Sequence, residues 1–293
     1  MASNGLSMVH AEMKEGAEIV SARFHGMTSL AERRELLKRS VQASGLSNSR
    51  VRMILDHGQY RLLQVAAPEV PVAEMADALR WKVQDLLEYP VDEAEIEFFQ
   101  MPQSAQAHRD RMVTVAVCRS SAIRELSDVV KESGLVLDVI DIPELCLSNL
   151  VVRFPEAERG VALLYLKGNH GVLLIQKGES VYLFRDLEVD GEMLASSLGQ
   201  MAADRASAEA DHLALDIQRS LDYYESYYGM PSVGSLVVAP MAQHTQALVD
   251  ALNQSLGVIS RAMDVSAIVR CRERLDDVTQ QACLPAIGAI LRT

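Results

Sequence analysis

VALLYLKGNHGVLLIQKGESVYLFRDLEVDG, Val161 to Gly191, is the stretch whose reading decides the fold. Its first arm, Val161 to Leu166, is an unbroken apolar run that stops at Lys167, Gly168 and Asn169, residues suited to the positive φ of a hairpin turn. The second arm runs from Val172 to Gln176 and ends in another turn at Lys177, Gly178 and Glu179. The third, Ser180 to Asp186, alternates Val181 and Leu183 with Tyr182 and Phe184, then leaves through Asp186, Glu188 and Asp190 into Gly191. Three consecutive strands sharing two tight turns make a β-meander. On the residues alone, a buried meander of no special function accounts for the pattern.

Upstream, Gly5 to Met13 and Glu18 to Phe24 read as two short strands joined by Lys14, Glu15 and Gly16. From Ser29, apolar residues at Leu30, Leu36, Leu37 and Val41 define one helical face, with Ser29 and Glu32 as a capping box and Gly45 as the stop. Val51 to Leu55 and Tyr60 to Val65 read as a strand pair around Asp56, His57 and Gly58. After Pro68 to Pro71, Met75, Leu79, Val83 and Leu86 give the 72–87 segment the spacing of an amphipathic helix. A strand at 95–100, a polar loop at 103–110, a strand at 111–119 and a helix at 121–133 follow, closed by Gly134. The segment 68–134 reads as a small α/β insert in a first domain that resumes at Leu135 with a strand at 136–140 and a helix at 144–152.

Downstream of the meander, 193–228 reads as mostly helical with an interruption near 202–210. A buried-type strand at 235–239, a helix at 245–256 and a terminal helix at 284–291 complete the chain. The two halves run in the same order, strands first and helices after. The expected lobes are 1–157 and 158–293, the second with a helical insert at about 192–230.

The 293 residues are enough for two ordinary domains, and about half are apolar. A formal net charge of −12, with no basic run longer than a pair such as Arg33 and Arg34, argues against a nucleic-acid partner. No apolar stretch reaches membrane-spanning length, and the N-terminus lacks a signal peptide's apolar core, so a cytoplasmic protein is expected. Cys118, Cys146, Cys271 and Cys283 are far apart and read as buried reduced thiols.

Motifs for chemistry are sparse. No two histidines stand at the i, i+4 spacing that presents a metal pair on a helix, and no nucleophile elbow, zinc-protease or P-loop sequence occurs. Gly168 to Gly171 (GNHG) has the small residues of a phosphate-cradling turn, but it joins two strands, so no helix dipole assists it. Asp92, Glu93, Glu95 and Glu97 read as a solvated acidic face rather than a catalytic dyad. Tyr223, Tyr224, Tyr227 and Tyr228 read as core packing with hydroxyls at the rim. Trp81, the single tryptophan, reads equally as a lid on the core or as an interface anchor.

ALRWKVQDLLEYPVDEAEIEF (Ala78 to Phe98) and VTVAVCRSSAIRELSDVVKESGLVLDVIDIPELCLSNL (Val113 to Leu150), then the meander, IQRSLDYYESYY, SLVVAPM and AIGAILR (Ala286 to Arg292), carry a resemblance over nearly the whole chain. In order and content they resemble the PilM and MshI proteins of type IV pilus assembly, an actin-like branch related to FtsA. The chain's shortness, its lost nucleotide signature and the missing membrane helix fit the MshI branch of MSHA pilus biogenesis best. The resemblance implies an α/β, actin-like (ribonuclease H-like) two-lobed fold with an FtsA/PilM-type α/β insert in the first lobe.

In such folds a meander opens each lobe, and its first turn carries an acid and a glycine that hold Mg²⁺ through water and cradle phosphate. By that resemblance the acid's position is Tyr165 and the glycine's is Lys167, beside Gly168. The first lobe's phosphate turn needs an acid and a strand ahead of Gly5, neither of which is present in the sequence. The adenine-side Gly-Gly is replaced by Ala239 and Pro240, and proline also removes a donor. The expectation is a degenerate nucleotide site, no hydrolysis and no cofactor.

The implied partner is the cytoplasmic tail of a PilN- or MshJ-like inner-membrane protein, held near Trp81, Gln84, Tyr89 and Phe98, with other pilus assembly proteins nearby. The implied role is a non-catalytic scaffold peripheral to the inner membrane. The alternative is a nucleotide-dependent ATPase or switch of the same machinery, using ATP and Mg²⁺ at a rearranged Gly168–Gly171 site.

Overall fold

The structure, a computed structural model, describes residues 5–26, 29–104, 111–199 and 207–292. β1 (Gly5–Met13) and β2 (Ala17–Gly26) form a hairpin. α1 (Leu30–Ala43) starts at the expected capping box, the Ser29 hydroxyl accepting from the Glu32 N–H and the Glu32 carboxylate from the Ser29 N–H. β3 (Arg50–Ile54), β4 (Tyr60–Ala66), α2 (Met75–Val83), β5 (Ala94–Gln100), β6 (Met112–Arg119), α3 (Ser120–Glu132) and β7 (Val136–Asp141) follow. Then come α4 (Pro143–Val151), the meander β8 (Val161–Lys167), β9 (His170–Lys177) and β10 (Ser180–Glu188), α5 (Gly191–Gly199) and α6 (Ser207–Tyr228). β11 (Ser235–Val238), α7 (Thr245–Ser255), β12 (Ser260–Ala262), β13 (Arg270–Cys271) and α8 (Asp277–Ile290) close the chain. Part of the interruption expected at 202–210, and most of the loop expected at 103–110, lie outside the described residues.

Two compact units form, and they divide the chain differently from the expected 1–157 and 158–293. Over the described residues the first comprises 5–6, 25–103 and 111–143, and the second comprises 7–24, 104 and 144–292. The hairpin expected to open the first lobe thus packs mainly with the second unit. There Ile19 is buried, Val9, Ala17, Ala22 and Phe24 pack against the same core, and β13 runs parallel to β2.

In the first unit, β3 and β4 are not the expected strand pair. The turn between them forms, with the Gln59 N–H donating to Asp56 O, but β3 pairs in parallel with β7 while β4 pairs with β6. Seven consecutive β4 positions match β6, and alternation sends Leu63 and Val65 to the face that α2 covers, which outweighs the local hairpin. The insert's three-stranded antiparallel sheet, in the order β4-β6-β5, therefore begins at Tyr60 rather than Pro68. Met75, Leu79 and Val83, at four-residue spacing, bury one side of α2 against Val113, Val115 and Val117 of β6.

In the second unit a five-stranded sheet has the order β10-β9-β8-β11-β12, the meander antiparallel and β11 parallel to both β8 and β12. Both faces are covered, which is why Val161 to Leu166 and Ser235 to Val238 are buried without a break. Ala162, Leu164 and Leu166 face α5, α6 and α7, while Val161, Leu163 and Tyr165 face α4 and α8. A bulge at Tyr182 interrupts β10, and its carbonyl accepts the Tyr228 hydroxyl at 2.8 Å. Tyr224 is fully buried, hydroxyl included, with its ring edge-on to Tyr182, and Tyr228 packs beside it. Tyr223 is instead exposed and stacks on Tyr227, so the expected core packing holds for part of the cluster and the hydroxyls are not all at the rim.

The terminal helix starts at Asp277, seven residues before the expected Leu284, with Asp276 capping the Thr279 N–H at 2.7 Å. Pro285 sits inside the helix rather than at its first turn. Cys118, Cys146 and Cys283 are buried as expected, but Cys271, on the short β13, is only half-buried; none of the four forms a disulfide.

Candidate functional site

In the second unit, β8 and β11 run side by side, with Val238 opposite Leu164 and the Ala239 N–H donating to Leu164 O at 2.8 Å. Their carboxyl ends therefore bring Tyr165, Lys167 and Gly168 near Ala239 and Pro240. Strand alternation turns Tyr165 away from the α5–α7 side and into the core against α8, where it is 5% exposed. A proline has no N–H to give the carbonyl four residues earlier, so Pro285 leaves Gln281 O without its helical partner. The Tyr165 hydroxyl donates to that carbonyl at 3.1 Å. Burial, with the Cys283 thiol as a lesser cause, raises the phenol's pKa and keeps it a neutral donor.

The Gln281 side chain extends the tie. Its Nε2 donates to Leu166 O at 2.9 Å and its Oε1 accepts the Ala242 N–H at 3.1 Å. The Met241 N–H donates to the Thr245 hydroxyl at 2.9 Å. The loop after β11 thus directs two N–H groups to side chains of the protein, and Pro240 has none. His244, at φ 64°, holds the left-handed conformation at the end of this loop.

The Gly168–Asn169 turn is packed as a hairpin turn. A Cβ on Gly191, the first residue of α5, would lie 2.2 Å from Gly168 O, so only glycine permits this approach, and Gly168 itself takes φ 60°. No carboxylate stands at 165–168 or 239–242, and no group of three potential metal ligands occurs among the described residues. The turn meets α5 through the Gly168 carbonyl rather than through a row of N–H groups. Gly5 opens β1 and belongs to the first unit, whereas the other five expected positions belong to the second.

The first unit holds the four residues expected to meet a partner, and they fall into two pairs. Trp81 is 72% exposed, because two residues past Leu79 is the far side of α2, and Gln84 is exposed in the turn that follows. Trp81 is therefore no lid on the core. Tyr89 and Phe98 instead pack, partly buried, against the core beneath α2. Arg119 lies 3.9 Å over the Tyr89 ring and pairs with Glu93 at 3.3 Å, and burial raises the Tyr89 pKa. Arg80 donates to Val91 O and Ala94 O, tying α2 to the start of β5.

Gln281 was invisible as a site residue in the sequence. The available signal was a glutamine four residues ahead of Pro285, where a proline leaves a helical carbonyl without its N–H.

No protein-family model matches the chain, and no curated protein does. Solved structures do. A PilM–PilN type IV pilus biogenesis complex superposes with a TM-score of 0.71 at 16% identity, over 99% of this chain and 95% of that one. The cytoplasmic domain of EpsL, an inner-membrane component of the Vibrio cholerae type II secretion system, gives 0.51 at 12% identity over 100% and 92%. A Bacteroides thetaiotaomicron protein of actin-like ATPase fold and unknown function gives 0.49 at 8% identity over 97% and 93%. Identities this low speak to fold alone, and the fold is the actin-like one expected from the sequence.

Proposed function

We propose that this protein is a non-catalytic scaffold of a type IV pilus assembly platform, MshI-like in its MSHA role, and that its first unit takes the cytoplasmic tail of a PilN- or MshJ-like membrane protein. The likeness to the PilM–PilN complex over 99% of the chain carries the reading. Trp81, exposed and paired with no core residue, supplies the aromatic anchor such a contact uses. No described helix is long and apolar enough to cross a membrane. The reading places the chain at the cytoplasmic face of the inner membrane, where the partner's tail emerges.

The absence of turnover rests on the ends of β8 and β11. On the resemblance, Tyr165 takes the position of an actin-like ATPase's carboxylate; its phenol is buried and neutral, and Gln281 engages the neighbouring backbone. Replacing Tyr165 with an acid would bury a carboxylate in an apolar core and leave the Gln281 carbonyl without the phenol's hydrogen bond. Calorimetry with Mg-ATP gives no saturable heat on this reading, and a pull-down with the partner's tail succeeds without nucleotide. Micromolar Mg-ATP binding with phosphate release would instead favour the ATPase.

A further inference from the structure

β5 is an edge strand. Among the described residues it pairs with β6 alone, over its full seven residues, leaving its other side open in the order β4-β6-β5. Its two faces differ in chemistry. Ile96 and Phe98, half-buried, turn toward the α2 core, whereas Glu95 and Glu97, both exposed, turn to the opposite face. The register puts Glu97 opposite Ala116, which is still partly accessible on the central strand, and Ala116 opposite Leu62. One residue pair along on that same face, Phe99 stands opposite Thr114, which is 3% exposed.

The segment leading into and along the edge is acidic, and the arginines beside it are engaged, Arg119 with Glu93 and Arg80 with the carbonyls of Val91 and Ala94. Residues 85–97 (DLLEYPVDEAEIE) contain Asp85, Glu88, Asp92, Glu93, Glu95 and Glu97 and no lysine or arginine. Glu95 is held in place by the Ser120 hydroxyl at 2.9 Å. Edge glutamates discourage the strand from pairing with a copy of itself, since like charges meet across the new pair. The same glutamates favour a strand that brings cations to them.

We propose that β5 is a β-addition site for an extended segment with alternating basic and apolar residues. Its cations lie beside Glu95 and Glu97, its apolar side chains continue the Ile96–Phe98 row, and its backbone pairs with β5. This inference rests on the scaffold reading for its source, the partner's tail, and adds the chemistry by which that tail is recognised.

The test uses two fluorescein-labelled octapeptides, alternating Lys-Val and alternating Glu-Val, titrated into the full chain by anisotropy. Amide hydrogen exchange is followed over residues 94–100. The Lys-Val peptide binds at least tenfold more tightly, weakens at least fivefold between 50 and 300 mM NaCl, and protects β5 amides. Glu95→Lys combined with Glu97→Lys removes its binding while leaving the melting temperature near wild type. Equal binding of the two peptides, no binding of either, or binding without β5 protection overturns the proposal. If the partner's tail binds wild type and the double variant alike, the edge is wrong and the scaffold stands. If the Lys-Val peptide binds β5 and the tail does not bind, the scaffold reading is the one that fails.

Discussion

The Tyr165 hydroxyl donates to the backbone carbonyl of Gln281 at 3.1 Å, across 116 residues of sequence. Pro285 creates the vacancy in the helical ladder that this bond fills. Tyr165→Phe therefore strands a buried carbonyl and should cost about 1–3 kcal/mol in urea unfolding. In a Pro285→Ala background residue 285 regains an N–H, and the same change should cost less than about 1 kcal/mol. An equal cost in both backgrounds would show that the proline does not create the need for the phenol.

Helices α4 and α8 meet at Gly288. A Cβ there would lie 2.0 Å from Cys146 O, a backbone atom that cannot move aside, and Asn149 Nδ2 donates to Gly288 O at 3.2 Å. Gly288→Ala should lower stability by about 3 kcal/mol or prevent folding. Gly257→Ala, with nothing within 4 Å, serves as the control and should leave the urea midpoint almost unchanged.

Arg261 grips Glu156 with two hydrogen bonds of 2.7 and 2.8 Å. The guanidinium holds the Glu156 pKa below its usual 4.5. A depressed folded value means the stabilisation is present above pH 4.5 and is lost as the pH falls through the folded value. Melting curves from pH 6 to pH 3 should show wild type losing more stability than Glu156→Gln. Parallel losses would deny the pair that role.

Trp81 is the chain's one tryptophan and is 72% exposed. Trp81→Ala should change stability by less than about 0.5 kcal/mol, as expected for an exposed side chain. Its fluorescence should be that of a solvated indole and should shift to the blue when the partner's tail binds. Binding with an unchanged spectrum and an unchanged affinity in Trp81→Ala would place the contact elsewhere.

The meander was legible in the sequence because β8 and β9 are covered on both faces and local turns at Gly168 and Gly178 punctuate it. The expected alternation in β10 fails, however, since the bulge at Tyr182 sends Val181 and Leu183 to opposite faces. The helix at Ser29 was legible because its cap is chemical. What escaped were features set by distant partners. β3 prefers β7, more than 80 residues away, to the neighbour across its own turn, and β12 and β13 are too short to carry a period. The α8 start was misplaced because Pro285 reads as a first-turn residue, whereas a hydroxyl from β8 makes it tolerable mid-helix. Of the expected apolar face, Met75, Leu79 and Val83 are buried, but Leu86 is 46% exposed because α2 ends at Val83, and Trp81 proves to lie on the outer side.

The central claim is that this actin-like chain binds a membrane protein's tail without using a nucleotide. Titration of the PilN- or MshJ-like tail into the chain, with and without Mg-ATP, measures it directly. The account predicts one affinity, the same in both titrations, and no phosphate release. Tail binding that appears only with Mg-ATP would contradict it.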